Sequence, residues 1–355
     1  MGKRRVLIVD DSAFSRQTIK GILEADPEFE VIGIAFDGID AIAKTLRYKP
    51  DIITLDIEMP EMDGLSFLRW IMKEHPTPVV VISSRSDDKT VFEALELGAI
   101  DFIKKPVRRA SKELNKIGSE LLYKLKNISR ESIKKIKDRD SHTGMGEIKP
   151  QTIVHEPKPV YELIAIGSST GGPHALQYIF TSLPPLNIPI VVSQHMPAGF
   201  TRSFAERLDR ISRFRIKEAE NNEPLKPATV YICPGGNHLL FRKKGGMIYT
   251  KLEASNPDEI YTPSVDKMML SAVKCFNGKI LGVILTGMGR DGFRGMKEIT
   301  KKGGYTIAES EETAVVYGMP REVINSGGAR SVVPLYRIPE EIIKIIREGK
   351  TYHGR

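Results

Sequence analysis

Short runs of β-branched and aliphatic residues in this 355-residue chain repeatedly end on side chains able to do chemistry. RVLIVD closes on Asp10 with Asp11 behind it, DIITLD closes on Asp56, PVVVIS on Ser83 and AIDFIKK on Lys105. In an open α/β sheet, ligands gather beyond the carboxyl ends of the strands, where loops and helix N-termini converge. Three carboxylates brought into one small cleft repel each other and call for a divalent, oxygen-loving cation such as Mg2+. With that charge balanced, one carboxylate is free to attack a phosphoryl group. Lys105 would then offer a point charge, and the Ser83 hydroxyl a donor, to the phosphoryl oxygens. Singly, each residue has a plainer reading as a cap or a solvated turn, and only the joint spacing favours a site.

A second constellation lies in the other half. IGSSTGG at 166–172 joins a strand pattern to a helix pattern. It lacks the Gly-Lys-Ser/Thr of a phosphate-binding loop and does not spell G-x-G-x-x-G. Gly167, Ser169 and Gly171 do fit G-x-S-x-G, the turn that exposes a nucleophilic serine. Such a serine needs a base, and His195 closes IPIVVSQ just before a Pro-Ala-Gly turn. His174, in the helix after the turn, and His238, after PGGN, are rivals. A base needs an acid to hold one tautomer, and Asp291 in LTGMGRDG is best placed for it. The order Ser, His, Asp is not that of α/β hydrolases, so the turn cannot be borrowed from that fold.

The elements that would position these residues alternate. Strand candidates RVLIVD, FEVIGIA, DIITLD, PVVVIS and AIDFIKK are separated by helix candidates near 13–25, 38–48, 64–75 and 88–97, with a fifth after Pro106. This predicts a five-stranded parallel sheet, doubly wound, over 1–122. Residues 123–158 read as a basic and polar linker, with Gly and Pro toward its end. YELIAIG, IPIVVSQ, ATVYICP and KILGVILTG then predict a second α/β domain over 159–350 with a mostly parallel sheet; 236–262 reads as a hairpin or meander that could add antiparallel pieces.

Composition narrows the class. Hydrophobic residues at 41% suffice for two cores, and no apolar run approaches the roughly 18 residues of a membrane span. Cytoplasmic localisation without membrane insertion is therefore expected. Cys233 and Cys275 lie far apart in apolar contexts and read as inert thiols. The net charge of +8 is concentrated in residues 104–137, which hold twelve Lys or Arg against three Glu. A DNA-binding regulator would need a helix-turn-helix module downstream, and none is apparent, so no nucleic-acid partner is expected.

VLIVDDS, LDIEMPEMDG and FIKKP, as they stand over 1–122, resemble the receiver domain of two-component signalling. The resemblance implies that Asp56 accepts phosphate from a chemotaxis histidine kinase, with Mg2+ held by Asp11, Asp56 and the backbone carbonyl of Glu58, and Asp10 nearby. It places Phe102 at an aromatic switch position and makes Lys105–Pro106 a candidate cis peptide. AIGSSTGG, SQHMPAGFT, ICPGGNHL, TPSVDKMM and LTGMGRDG together resemble the catalytic domain of the protein-glutamate methylesterases over about 160–345. Here the resemblance implies Ser169 as nucleophile, His195 as base and acid, and Asp291 as its orienting partner. Two departures stand out: Ser168 where Ala is frequent, and Ala198 where a second Pro is common. The first leaves a second hydroxyl beside Ser169, so that assignment rests on register.

The expected reaction is hydrolysis of glutamate methyl esters on methyl-accepting chemoreceptors, with slower deamidation of glutamine and no cofactor for the ester step. Backbone N–H groups of Thr170, at the start of the following helix, and of Met288 are the expected oxyanion donors. Recruitment to receptor arrays at the membrane is expected, as is restraint of the esterase by an unphosphorylated receiver. A non-enzymatic adaptor is the remaining alternative, opposed by the presence of all three triad residues.

Overall fold

Alternating apolar runs and helical-period stretches form two units, Met1–Lys137 and Asp138–Arg355, in the computed structural model, which describes residues 2–83, 88–105, 111–141, 160–256 and 259–348. The first unit runs β1 (Arg4–Val9), α1 (Ala13–Glu24), β2 (Phe29–Ala35), α2 (Gly38–Tyr48), β3 (Ile52–Asp56), α3 (Gly64–Glu74), β4 (Val79–Ser83), α4 (Asp88–Glu96), β5 (Asp101–Lys104), α5 (Ser111–Asn127) and α6 (Arg130–Ser141). Its five strands pair in the order β2-β1-β3-β4-β5, all parallel. β3 and β4 are buried along their whole length, which is why IITLD and VVVIS read as continuous apolar runs. Short polar side chains start the helices: Ser12, Asp37 and Asp63 each accept a backbone N–H of the first turn.

The stretch after residue 123 departs from the expected linker. α5 continues to Asn127, and α6 is a helix whose Ile133 and Ile136 are buried along with Ile128 before it. Three buried isoleucines at about 1.5–3 kcal/mol each outweigh what a single turn of exposed charge would contribute. The basic residues of this stretch also pin it inward. Lys124 is buried against Asp101 and Glu120, Lys126 pairs with Asp26 and Glu28, Arg130 donates to the Pro50 carbonyl, and Lys137 to that of Met72. Lysines that read as part of a basic linker thus include internal ties of the unit. Pro106, and with it the expected cis bond, lies outside the described residues.

The second unit runs β6 (Leu163–Ser168), α7 (Gly172–Ser182), β7 (Ile190–Gln194), α8 (Phe200–Ile211), β8 (Arg215–Glu218), β9 (Thr229–Ile232), β10 (Asn237–Lys244), β11 (Met247–Ala254), α9 (Val265–Phe276), β12 (Ile280–Ile284), α10 (Phe293–Lys301), β13 (Tyr305–Glu309), α11 (Met319–Asn325), β14 (Ser331–Val333) and α12 (Ile338–Glu348). Seven strands form one sheet in the order β14-β13-β12-β6-β7-β9-β8. Every pairing in it is parallel. The antiparallel pieces thought possible for this sheet are instead confined to a separate two-stranded hairpin, β10–β11. α9 packs into a core with Val265, Met268, Met269, Ala272 and Phe276 buried beside Leu163, Ile280 and Ile284 of the sheet. No helix among the described residues is long and apolar enough to cross a membrane.

Candidate active site

Register brings the acidic residues together. Val9 is paired with Leu55 across β1 and β3, so Asp10 and Asp56 are the next residues on adjacent parallel strands. Their side chains are buried, that of Asp11 is exposed, and one oxygen of each of the three lies within 4.8 Å of the others. Asp10 is anchored by Ser12 N–H at 2.8 Å and by the Ser15 hydroxyl at 2.5 Å. Lys105 reaches in from the end of β5, hydrogen-bonding Asp56 and lying 3.4 Å from Asp10 and 3.7 Å from Asp11. Burial pushes the Asp56 carboxyl up to about 7; the Lys105 hydrogen bond opposes this, and the neighbouring Asp10 and Asp11 add to it. Burial alone would lower the Lys105 ammonium, but Asp56 and its neighbours hold it above the usual lysine value.

A set of three carboxylates, one of which resists ionisation, offers hard oxygen donors that fit a Mg2+ ion. Glu58 lies on the loop after β3 and, with Asp11, Met59 and Pro60, lines the groove beside the cluster. Ser83 is fully buried at the end of β4, its carbonyl accepting Lys105 N–H at 2.6 Å. Phe102 is buried, edge-on to Phe92 with ring centroids 6.4 Å apart.

The same strand-end logic builds the second site. β6 lies between β12 and β7, and Ser168 pairs with Gln194, so Ser169 and His195 are the next residues on neighbouring strands. His195 N–H donates to the Ser168 carbonyl at 3.1 Å, and Ser169 N–H to that of Thr286 at 3.0 Å. His195 Nε2 lies 2.9 Å from Asp291 Oδ2. Asp291 is buried against the start of α9, where Val265 N–H meets Oδ2 at 2.7 Å and Asp266 N–H and the Ser264 hydroxyl meet Oδ1 at 2.9 and 3.1 Å. Burial opposes its ionisation, yet the His195 hydrogen bond and charge, with the helix N–H groups, hold the carboxyl below its ordinary value.

The two serines differ in their surroundings. Ser168 is fully buried and its hydroxyl donates to Gln194 Oε1 at 2.6 Å, whereas Ser169 keeps 9% exposure. Gly287 packs directly on Ser169, since a Cβ there would lie 2.8 Å from the serine Cβ. Thr170 and Met288 flank this contact, both nearly buried, and their N–H groups meet no protein acceptor among the described residues. Each belongs to a peptide whose carbonyl is held twice. Ser169 O accepts from Gly172 N at 2.7 Å and Gln194 Nε2 at 2.9 Å, and Gly287 O from Gly318 N at 3.0 Å and Met319 N at 2.8 Å. In a trans peptide the N–H points opposite to the carbonyl, so both donors have fixed directions.

The rival histidines have other places. His238 is buried, accepts Ser264 N–H on Nδ1 at 3.0 Å and lies 2.5 Å from Glu259 through Nε2, which steadies the start of α9. His174 lies in α7. Three further residues were not singled out from sequence. Tyr261 stacks on the His195 ring at 5.2 Å and 13°. Gln194 ties the strand ends that carry Ser169 and His195 together. Glu309, fully buried, accepts Thr286 N–H at 2.7 Å behind the serine. Only Gln194 had a signal, in the motif SQHMPAGF.

The comparisons agree with both halves. Residues 164–342 match the family model for CheB methylesterase, and 6–116 that for the response regulator receiver domain. A protein-glutamate methylesterase/protein-glutamine glutaminase of Geobacter sulfurreducens is 44% identical over 97% of this chain and 98% of its own length. One from Thermotoga maritima is 42% identical over 96% and 98%. The crystal structure of the T. maritima CheB methylesterase catalytic domain superposes with a TM-score of 0.51 at 45% identity, covering 52% of this chain and 99% of that one. With nearly its whole length matched, the chain belongs to the family of protein-glutamate methylesterase/protein-glutamine glutaminases, a CheB-type hydrolase fused to a response regulator receiver domain.

Proposed function

We propose that this protein is a phosphorylation-regulated serine hydrolase that demethylates glutamate methyl esters, and deamidates glutamines, on chemotaxis receptors. The observation that carries the reading is the His195–Asp291 hydrogen bond at the strand end beside Ser169. Asp291 ionised accepts the Nε2 proton, which leaves the lone pair of His195 on Nδ1. Nδ1 takes the Ser169 proton as Oγ attacks the ester carbonyl, and the Thr170 and Met288 N–H groups receive the oxyanion. The proton passes to the departing methanol, and His195 then deprotonates a water that opens the acyl-enzyme. With glutamine the leaving group is ammonia, a poorer one, so deamidation is the slower reaction.

In the receiver, Asp56 is the phosphoacceptor and a histidine kinase the donor. Asp10, Asp11, Asp56 and the Glu58 carbonyl would hold a Mg2+ ion, which would supply charge neutralisation for the transfer. Lys105 and Ser83 orient the phosphoryl oxygens. Phosphorylation relieves a restraint that the receiver places on the esterase, and the protein works in the cytoplasm at receptor arrays. Methanol release from methylated receptor, by wild type, Ser169→Ala and Asp56→Asn with and without phosphodonor and Mg2+, tests both halves. Release that persists in Ser169→Ala would refute the hydrolase assignment, and stimulation that persists in Asp56→Asn would refute the phosphoacceptor.

A further inference from the structure

We infer that Gln194 is a positioning residue of the esterase, fixing through its side-chain amide the direction of the Thr170 N–H and the spacing of nucleophile and base. The inference rests on the serine-hydrolase reading above. Gln194 is the last residue of β7 and only 2% exposed. All of its amide is used on the catalytic strand ends. Oε1 accepts the Ser168 hydroxyl at 2.6 Å, and Nε2 donates to the carbonyls of Ser169 at 2.9 Å and His195 at 3.0 Å.

Those two carbonyls belong to the peptides on the C-terminal side of the nucleophile and the base, so one NH2 group locks both. Turning the Ser169 carbonyl turns the Thr170 N–H with it, because they share a peptide plane. The neighbouring chain packs closely against this amide at Gly172. A Cβ on Gly172 would lie 2.0 Å from Gln194 Oε1 and 2.9 Å from Ser168 Cβ, so glycine at that position is required by close approach rather than by backbone angle.

A group that aims an oxyanion donor acts in the transition state more than in substrate binding, so its loss should appear in kcat and not in KM. Removing such a donor outright costs about 10²- to 10³-fold, and misdirecting it should cost about 10- to 100-fold. The full-length protein, with phosphodonor and Mg2+, is assayed for methanol release as Gln194→Met, Gln194→Glu, Gly172→Ala and Ser168→Ala, with thermal melts of each. Gln194→Met keeps length without donors. Gln194→Glu sets a carboxylate oxygen against two carbonyls. Gly172→Ala displaces an intact amide, and so reads the same geometry should either Gln194 variant fail to fold. Ser168→Ala removes only the donor to Oε1.

The expected result is a kcat loss of about 10- to 100-fold, with KM within about twofold, in each folded Gln194 variant and in Gly172→Ala, against less than about fivefold in Ser168→Ala. Folded Gln194→Met or Gly172→Ala with kcat within about threefold of wild type, or a loss confined to KM, would overturn the inference. Ser169→Ala is run alongside: if it retains release, the hydrolase reading itself has failed; if it is inactive while Gln194→Met is unimpaired, only the role of Gln194 has.

Discussion

One oxygen of Asp291 accepts from two sources, the imidazole of His195 at 2.9 Å and the backbone N–H of Val265 at 2.7 Å. The carboxylate is therefore fixed by a helix N-terminus before it orients the base. Asp291→Asn would present an NH2 group or a weaker acceptor to donors that cannot move, and would favour the wrong His195 tautomer. A kcat loss of about 10³- to 10⁴-fold at little change in KM is expected. A loss below about tenfold would show that His195 is oriented by something else.

The same carboxyl carries a pH signature. Its folded pKa lies below the ordinary value, so the stabilisation it contributes is complete above the unfolded value of about 3.9 and is lost as pH falls toward the folded one. Urea unfolding of wild type and Asp291→Asn should differ by an amount that shrinks as pH falls below about pH 4. A difference that does not vary between about pH 6 and about pH 3.5 would contradict an ionised Asp291 in the native state.

His238 was a rival for the base, and its position gives it a different consequence. His238→Ala would leave the buried Ser264 N–H without an acceptor, a loss of about 1–3 kcal/mol by denaturant unfolding. Glu259, held down to about 2 by Lys267 and then His238, should make Glu259→Gln most costly above about pH 5 and nearly neutral near about pH 2. Unchanged unfolding midpoints for His238→Ala would mean that α9 starts without its help.

Strand ends were legible because a parallel strand buried on both faces must be written as an unbroken apolar run, and a polar residue at its end is then conspicuous. Asp10, Asp56 and His195 are each read in that way, and Ser169 from the G-x-S-x-G turn. Gln194 and Tyr261 were not, since their roles depend on register and on a loop closing over His195 from 66 positions away. Motif register alone favours Ser169 over Ser168; the Ser168–Gln194 pairing, which buries the other hydroxyl, is something sequence spacing does not contain. α6 was hidden by composition: its lysines and arginines dominate the pattern, while the few isoleucines that bury it are too sparse to show a helical period.

Gly287 is pressed between Ser169 and Met319, where an added Cβ would come within 2.8 Å of the serine Cβ and 2.4 Å of the Met319 sulfur. Ser169 is held from the other side by Gln194 and Gly172. Gly287→Ala should therefore push Ser169 from its place and, with Ser169 acting as proposed, lower kcat by about 10²-fold, with a thermal midpoint reduced by only a few degrees. Activity within about threefold of wild type would mean that the two loops separate freely.

The acidic cluster predicts a response to metal that does not depend on esterase activity. Asp10, Asp11 and Asp56 converge within 4.8 Å with one ammonium among the described residues, Lys105, against them, so negative charge still exceeds positive although Asp56, pushed up to about 7, is only partly ionised at neutral pH. Like charges at that distance, two of them on buried side chains, destabilise the fold when no cation is present. Asp56→Asn removes one charge and keeps the shape, and should raise the melting temperature of the receiver in EDTA. Millimolar Mg2+ should raise the wild-type midpoint by mass action and raise that of Asp56→Asn less, because one donor has lost its charge. Equal shifts in the two proteins would place the ion away from Asp56; no shift in either would mean that Lys105 alone balances the cluster.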